Sequence, residues 1–303
     1  MIPSPSPASA SGETNADLQQ RLGDQLEAIV SRRIAADQLV LPLLPAAAVK
    51  CLGLLKDPNF SVRDASALIE TDPILAARLV RLSNSPALGG RDAIKTIGSA
   101  VTRIGVQKLR SFLIEAAAAK LFESTDRRIA DATRALWAHS VAVAVVARDL
   151  TALCGGGDPE MAYLGGLLHD VGKPVIAAML LDAERTVTEA RKQARWINGA
   201  DWIAVVQRTH RRVGVALVER WEMPPPVRGA VRDCEEYDNV DRLSVANVVR
   251  FANAVVKQKG LYVGPVVQED NDALVMIGRS LLSLDEEAVQ RATAGLAKMG
   301  LSS

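Results

Sequence analysis

The chain has three histidines, and one of them is followed at once by an acid: His169–Asp170, in the run LLHDVGK. The other two, His139 and His210, also lie in stretches whose apolar residues have helical spacing. Imidazole and carboxylate are ligands that suit Mn, Fe, Zn or Co. Adjacent residues of a helix point about 100° apart. His169 and Asp170 would therefore face one ion most easily where the helix ends, and Gly172 predicts that end. The pattern favours a metal site whose ligands come from different helices.

The same histidines also have a purely structural interpretation. A single histidine on an apolar helix face is more often a hydrogen-bonded core residue than a ligand. A His-Asp dipeptide occurs by chance, although an apolar run before it and Val-Gly-Lys after it make this one more specific. Leu136 and Val143 predict an inward face for the helix that carries His139, from which that histidine could supply a third ligand.

The composition predicts an all-α protein. Hydrophobic residues make up 49% of the 303 residues and aromatic residues only 4%, so the core must consist of aliphatic side chains in strong helix formers. No stretch shows convincing strand alternation, and there is no GxGxxG loop. With 36 basic and 35 acidic residues, the net charge is too small to indicate general electrostatic binding to nucleic acid or to anionic lipid. We expect neither as a partner.

The cysteines and the apolar runs indicate a cytoplasmic protein. Cys51, Cys154 and Cys234 are odd in number and form no CxxC pair, which favours buried free thiols in a reducing compartment. Residues 1–16 are rich in Pro, Ser and Ala, predict a disordered tail and lack the features of a signal peptide. The longest apolar runs, such as 141–147, are too short to span a bilayer.

Several longer motifs occur in a fixed order and resemble one known family. They are LPLLPAAAVK through NSPALG, then AIKTIGSAVTRIGVQKLRSFLI, LWAHS, LLHDVGK and HRRVGVALVERWEMPPPV. Together they resemble the HDOD group, the HD-related output domain of bacterial signalling proteins, within the HD superfamily of metal-dependent phosphohydrolases. The resemblance runs from about Leu41 to Tyr237.

The resemblance implies an incomplete metal site. In catalytic HD enzymes the ligands are a first His, the His-Asp pair and a distant Asp. The first three map onto His139, His169 and Asp170, but the fourth position holds Asn253. A neutral amide removes one negative charge, and with it much of the affinity for a divalent ion. We therefore expect no cofactor, or at most a single Mn, Fe, Zn or Mg ion held at low affinity.

The relatives that degrade cyclic dinucleotides carry further residues that this chain lacks. His210 matches one of their histidines, but Asp233 and Cys234 stand in place of a His-His pair, and a Gly-Tyr-Pro motif is absent. Binuclear hydrolysis needs two ions to generate hydroxide and to clamp the phosphate, so we expect no such activity. If the alignment slips, Asp238 or Asp241 could supply the missing carboxylate.

Three further residues are candidates for ligand binding. In active relatives a lysine at the position of Lys173 meets substrate phosphate, and the alternative is a solvated or salt-bridged lysine. His210 and Arg211 belong to a local basic patch that could contact an anionic ligand, or could simply be a solvated helix face.

The predicted architecture is an N-terminal helical lobe packed on an HD-like helical lobe. The boundaries are 1–16 for the tail, 17–125 for the first lobe, 126–238 for the HD-like lobe and 239–303 for a C-terminal helical extension.

The leading hypothesis is a non-catalytic or vestigially catalytic signal-transduction module. It would act by binding signalling proteins or a small molecule. The alternative is a mononuclear metal-dependent phosphohydrolase that acts on a nucleotide. A third, a helical nucleic-acid-binding protein, would need a clustered basic surface.

Overall fold

The fold is given by a computed structural model that describes residues 46–89, 92–191, 199–233 and 236–298, together with Asp24, Ala28, Ile29, Arg32 and Ala36. Within these residues there is no strand, and the predicted all-α class is confirmed. The tail predicted at 1–16 and Cys234 lie outside the described residues. The lobe boundaries predicted above stay predictions.

The α-helices follow one another along the chain with short connections. They are α1 (Ala46–Leu54), α2 (Val62–Glu70), α3 (Pro73–Ser83), α4 (Ile97–Ala119), α5 (Arg127–Cys154), α6 (Pro159–Leu168), α7 (Gly172–Arg191), α8 (Gly199–Arg220), α9 (Pro225–Asp233), α10 (Val245–Gln258), α11 (Gln268–Leu281) and α12 (Glu286–Lys298). Short 3₁₀ helices occur at Pro86–Leu88 and Lys120–Phe122.

Short polar residues determine where several helices begin. The side chain of Asp72 accepts hydrogen bonds from the first turn of α3, and Pro73 occupies the first helical position. Asp158 and Pro159 do the same for α6. An aspartate before the first turn satisfies amide groups that have no partner within the helix, and proline there loses no hydrogen bond. The Asp-Pro pairs therefore place the start of α6, the helix that leads to His169.

Helix α4 is bent at Gly105. This residue has φ 74° and ψ 167°, a conformation that glycine adopts without steric cost. The bend divides α4 into two helical segments. The second one ends at Ala119, and α4 packs against α6.

Three clusters of buried apolar side chains form the core. The N-terminal core lies among α1 to α4. The central core lies among the end of α4 and α6 to α9, and the C-terminal core lies among α5, α6, α10 and α12. Ile114, Ala117 and Ala118 of α4 belong to the central core, so the N-terminal helices share packing with the later ones.

Two helical stretches, Arg127–Cys154 and Pro159–Asp182, have the length and composition to cross a membrane. In the fold, however, 61% and 83% of their most apolar windows are buried. Core helices of soluble proteins have the same properties, so the evidence for a membrane span is weak. The observation is compatible with a soluble protein.

Candidate metal centre

The His-Asp pair lies in the turn between α6 and α7, so the helix ends earlier than the predicted end at Gly172. Helix α6 ends at Leu168, and α7 begins at Gly172. His169 Nε2 is 3.3 Å from Asp170 Oδ2, and His139 Nε2, which comes from α5, is 3.8 Å from the same oxygen. One ligand atom from each of the three residues lies within 4.8 Å of the other two, and all three residues are buried. The fold therefore assembles the first three ligands that the sequence predicts.

Backbone carbonyls determine which nitrogen each imidazole presents. His139 Nδ1 is 2.6 Å from the carbonyl oxygen of Leu261, and His169 Nδ1 is 2.7 Å from that of Gly166. A carbonyl oxygen only accepts, so each Nδ1 carries the proton and each Nε2 offers a lone pair. His169 Nε2 is buried and has no hydrogen-bond partner. This is the arrangement in which histidines bind a metal through Nε2.

His210 joins the same carboxylate from another helix. It lies on α8, and its Nε2 is 3.5 Å from Asp170 Oδ1. Its Nδ1 donates to the carbonyl groups of Val206 and Gln207, at 3.0 and 2.9 Å, so it too presents an unprotonated Nε2. Asp170 is thus surrounded by three imidazoles from three segments of the chain.

Lys173 gives the cluster its own positive charge. Its Nζ lies 2.6 Å from Asp170 Oδ2, and its side chain is only 11% exposed. Lys173 is thus salt-bridged to Asp170 in this structure, and a role toward substrate phosphate stays a prediction. The spacing of three residues, which places two side chains on one helix face, could have indicated the pair from the sequence. The sequence could not have indicated that the Lys173–Asp170 pair is buried away from water.

The environment keeps the carboxylate charged and two of the imidazoles neutral. Burial by itself would raise the pKa of Asp170, but the Lys173 ammonium beside its Oδ2 outweighs burial and holds that pKa well below its usual range. Burial, followed by the effect of His169, lowers the pKa of His139 to about 3. Burial lowers the pKa of His210 to about 4. Neutral imidazole is the form that ligates a metal.

Two glycines let the helices approach closely enough to form the cluster. A Cβ on Gly172 would overlap with the carbonyl oxygen of His210, so α7 begins directly against α8. A Cβ on Gly166 would lie 2.7 Å from the Cα of Ala144, so α6 packs backbone to backbone on α5. Sequence reasoning assigned neither glycine this role.

The remaining predicted site residues lie on α8, α9 and α10. Asn253 lies on α10, which packs against α5 and α6, and its Oδ1 is buried without a hydrogen-bond partner. Arg211 donates from Nη1 to the carbonyl oxygen of Val231 on α9, at 3.2 Å. Asp233 is paired with Arg232 at the surface.

The suggested substitutes for the fourth carboxylate do not join the cluster. Asp238 and Asp241 are exposed and line a separate surface pocket near Asp158. Asp238 Oδ1 accepts a hydrogen bond from the backbone of Val240. Among the residues that the structure describes, the only grouped metal-type ligands are His139, His169 and Asp170. The donor set of these three could hold a single divalent ion, with the unpaired His169 Nε2 as one ligand atom.

The family follows from the sequence match. The HDOD domain model matches residues 41–237, about the range over which the motifs resemble that family. The chain belongs to the HDOD domain family. The match supports a regulatory or HD-related role at the level of the family. The cluster of His139, His169 and Asp170 is named the HD-type site.

Solved structures share the HDOD fold. A protein of Shewanella amazonensis SB2B, provisionally named a metal-dependent phosphohydrolase, has a TM-score of 0.66 at 24% identity, with 90% of this chain and 98% of that chain covered. An HDOD domain protein of unknown function from Geobacter sulfurreducens has a TM-score of 0.60 at 22% identity, with 92% and 96% covered. At such identities the likeness shows the fold.

A curated relative is longer than this chain. An uncharacterized protein of Treponema pallidum (strain Nichols) is 25% identical over 222 residues, which make up 72% of this chain and 42% of that protein. The match thus spans less than half of the relative.

Proposed function

We propose that this protein is a cytoplasmic HDOD regulatory module of bacteria that does not turn over a phosphorylated substrate. It acts by binding a signalling protein or a small ligand. The observation that carries the proposal is the buried contact of 2.6 Å between Lys173 Nζ and Asp170 Oδ2. The ammonium contacts Oδ2, which is also the oxygen 3.3 Å from His169 Nε2 and 3.8 Å from His139 Nε2.

Charge supports this proposal. Asp170 is the one carboxylate in the metal-type cluster of the described residues, and Lys173 already offsets its charge. A divalent ion would add two positive charges to a buried site that holds one negative and one positive group. Like charges this close repel strongly when water is excluded. We therefore expect weak binding of a single ion, and no hydrolysis of the two-metal kind.

A second candidate function is the mononuclear phosphohydrolase, and the unpaired His169 Nε2 is the observation that favours it. In that case His139, His169 and Asp170 would hold the ion. Lys173 would break its contact with Asp170 and would bind substrate phosphate instead. The ion would polarise a phosphoryl oxygen or lower the pKa of a bound water. The three imidazoles would keep Nε2 unprotonated through the carbonyls that accept from Nδ1.

Metal content and turnover, measured on the same sample, test the proposal. Protein purified without chelator is analysed by mass spectrometry for Mn, Fe, Zn and Mg, and is then assayed with nucleotides and with bis(p-nitrophenyl) phosphate. We expect far less than one metal per chain, and turnover no higher than that of His169→Ala. Metal-dependent turnover that His169→Ala abolishes would establish the phosphohydrolase instead.

The variant Lys173→Met separates the two functions. If the lysine acts as an internal counter-ion, its removal leaves Asp170 available, and metal affinity rises roughly tenfold or more, the scale of effects from groups next to metal ligands. If the lysine serves a substrate, metal affinity stays the same and turnover falls. Lys108→Met is the matched control, since Lys108 is exposed on α4.

The regulatory role itself is tested by affinity capture from the bacterial lysate with parent protein and His169→Ala. We expect the same partner with both proteins, because a binding module does not need the HD-type site to turn over. No reproducible partner, together with turnover of a phosphorylated substrate, would reject the proposal.

A further inference from the structure

A groove lies at the C-terminal end of α8, between that end and the helices α1 and α4. It has a volume of about 660 Å³. Helices α1 and α4 form one wall, and the turn from Arg220 to Pro224 forms the other. Neither the histidines nor Asp170 line it. It is therefore a separate cavity from the HD-type site.

The floor of the groove is apolar. Ile114, Trp221 and Met223 line it and belong to the central core, and Leu52 packs against that core. A ligand that enters the groove would thus meet the edge of a packed interior. Small-molecule sites have this character, with volumes of about 300–1,000 Å³ and mostly apolar walls.

The charges around the groove are unbalanced. Among the residues that the structure describes, the lining includes four basic residues and one acid, which are Lys50, Lys56, Arg110, Arg220 and Glu222. The acid is already bound, since Lys56 Nζ lies 2.6 Å from Glu222 Oε2. Arg110 is held in place by a hydrogen bond of 3.1 Å to the carbonyl oxygen of Leu55. The lining therefore favours a negative group placed over an apolar floor.

We propose that this groove binds a small amphipathic anion. The ligand has an aryl or medium-chain acyl body, which packs on Trp221 and Met223, and one carboxylate, sulfonate or phosphate group, which faces Lys50 and Arg110. The proposal goes beyond the HD-type site and does not depend on whether that site holds a metal. The groove gives the module a site for a chemical signal between helices α1 and α4 on one side and the end of α8 on the other.

Gly53 offers a clean way to block the groove. It lies on α1, lines the groove, and a Cβ added there would meet no atom within 4 Å. Leucine is also a better helix former than glycine. Gly53→Leu therefore fills the groove without disturbing the packing of α1, and thermal denaturation checks that the variant stays folded.

The experiment uses the full chain and the fluorescent probe 1-anilinonaphthalene-8-sulfonate, an aryl sulfonate. We expect saturable binding of one probe per chain that weakens as salt is added. Gly53→Leu should weaken binding at least tenfold, and Lys50→Gln about threefold, the scale of an exposed charge pair. Lys108→Gln, the same charge change outside the groove, should have no effect.

Three results would overturn the proposal. One is unchanged probe binding in a folded Gly53→Leu variant, which would place the probe elsewhere. Another is equal loss in Lys50→Gln and Lys108→Gln. The third is equally tight binding of the neutral N-phenyl-1-naphthylamine, which would leave no role for the charge. Treatment with chelator should leave probe binding unchanged, which separates this site from the HD-type site.

Discussion

At the scale of single residues, the candidate site is defined by one buried carboxylate and the groups that compensate it. Asp170 has a lysine at 2.6 Å and imidazoles at 3.3 to 3.8 Å. A buried charge is tolerated only when it is paired. The lysine supplies that pairing within the chain itself.

Removal of the lysine should therefore destabilise the metal-free protein. We expect Lys173→Met to lower the free energy of unfolding by roughly 3 kcal/mol, because it leaves a buried carboxylate without its counter-ion. Asp170→Asn combined with Lys173→Met should cost less than the sum of the two single changes. Urea denaturation at pH 7 measures both, and Lys108→Met serves as the surface control. Additive effects would contradict the pairing.

The buried thiol of Cys51 leads to a second prediction at the residue scale, on how stability depends on pH. Burial raises the pKa of its thiol from 9.0 to about 11. In the unfolded chain the thiol loses its proton near pH 9, whereas in the folded protein it keeps the proton up to about pH 11. Stability is thus present below pH 9 and is lost as pH rises through 11, by up to about 3 kcal/mol.

The measurement is the free energy of unfolding, followed from pH 8 to pH 11 under reducing conditions. Cys51→Ala is the control: it lowers the starting stability but should show a shallower decline with pH. Tyr237, whose pKa burial raises to about 12, contributes the same decline in both proteins. Identical slopes for parent and variant would show that Cys51 does not titrate in this way.

At the scale of helices, close backbone contact places the ligands. Helix α6 lies directly on α5 at Gly166 and Ala144, and α7 begins against α8 at Gly172. Since His139, His169 and His210 come from these elements, the distances in the cluster depend on glycines that carry no chemistry themselves. Packed interiors do not yield easily to an added methyl group.

We expect Gly166→Ala to be destabilising and Gly53→Ala to be stabilising. Both glycines are helical, so helix propensity favours alanine at both by up to about 1 kcal/mol. At Gly166 the new Cβ meets the backbone of Ala144 at 2.7 Å, and overpacking costs about 1–3 kcal/mol. At Gly53 it meets no atom within 4 Å.

Thermal denaturation of the two variants beside the parent gives the comparison. The opposite signs matter more than the sizes, because the two changes are chemically the same. Equal shifts in Tm would indicate that α6 and α5 can separate without cost.

At the scale of the whole molecule, α4 joins the N-terminal core to the central core. Ile114, Ala117 and Ala118 lie on α4, yet they pack with the side chains of α6 to α9 in the central core. The proposed anion groove lies along the same boundary. A ligand in this groove would contact α1, α4 and the end of α8, the helix that carries His210.

The shared core predicts cooperative unfolding. Differential scanning calorimetry of the full chain should show one transition, whose calorimetric and van't Hoff enthalpies agree. A fragment that begins at residue 126 lacks the three side chains of α4 and should lose fixed tertiary packing, which near-UV circular dichroism would show. Two separate transitions, or a fragment with native packing, would contradict this prediction.

Local patterns in the sequence determined the all-α class and named the candidate ligands that the fold brings together. The Asp-Pro pair at Asp72 is read from neighbouring residues, and so is the helix end beside His169, because caps and turns depend on contacts within a few positions. The family motifs placed His139 and Asp170 in one site. These features are local or are tied to a fixed order of motifs.

Only the tertiary structure decided how the site is closed and charged. The carbonyl of Leu261 that orients His139 lies 122 residues away from it along the chain, and His210 reaches Asp170 from α8. No sequence pattern specifies such distances, because they depend on how closely helices pack. Burial is likewise a property of the whole fold, and it turns the pair Lys173–Asp170 from an ordinary surface contact into the charge balance of the site.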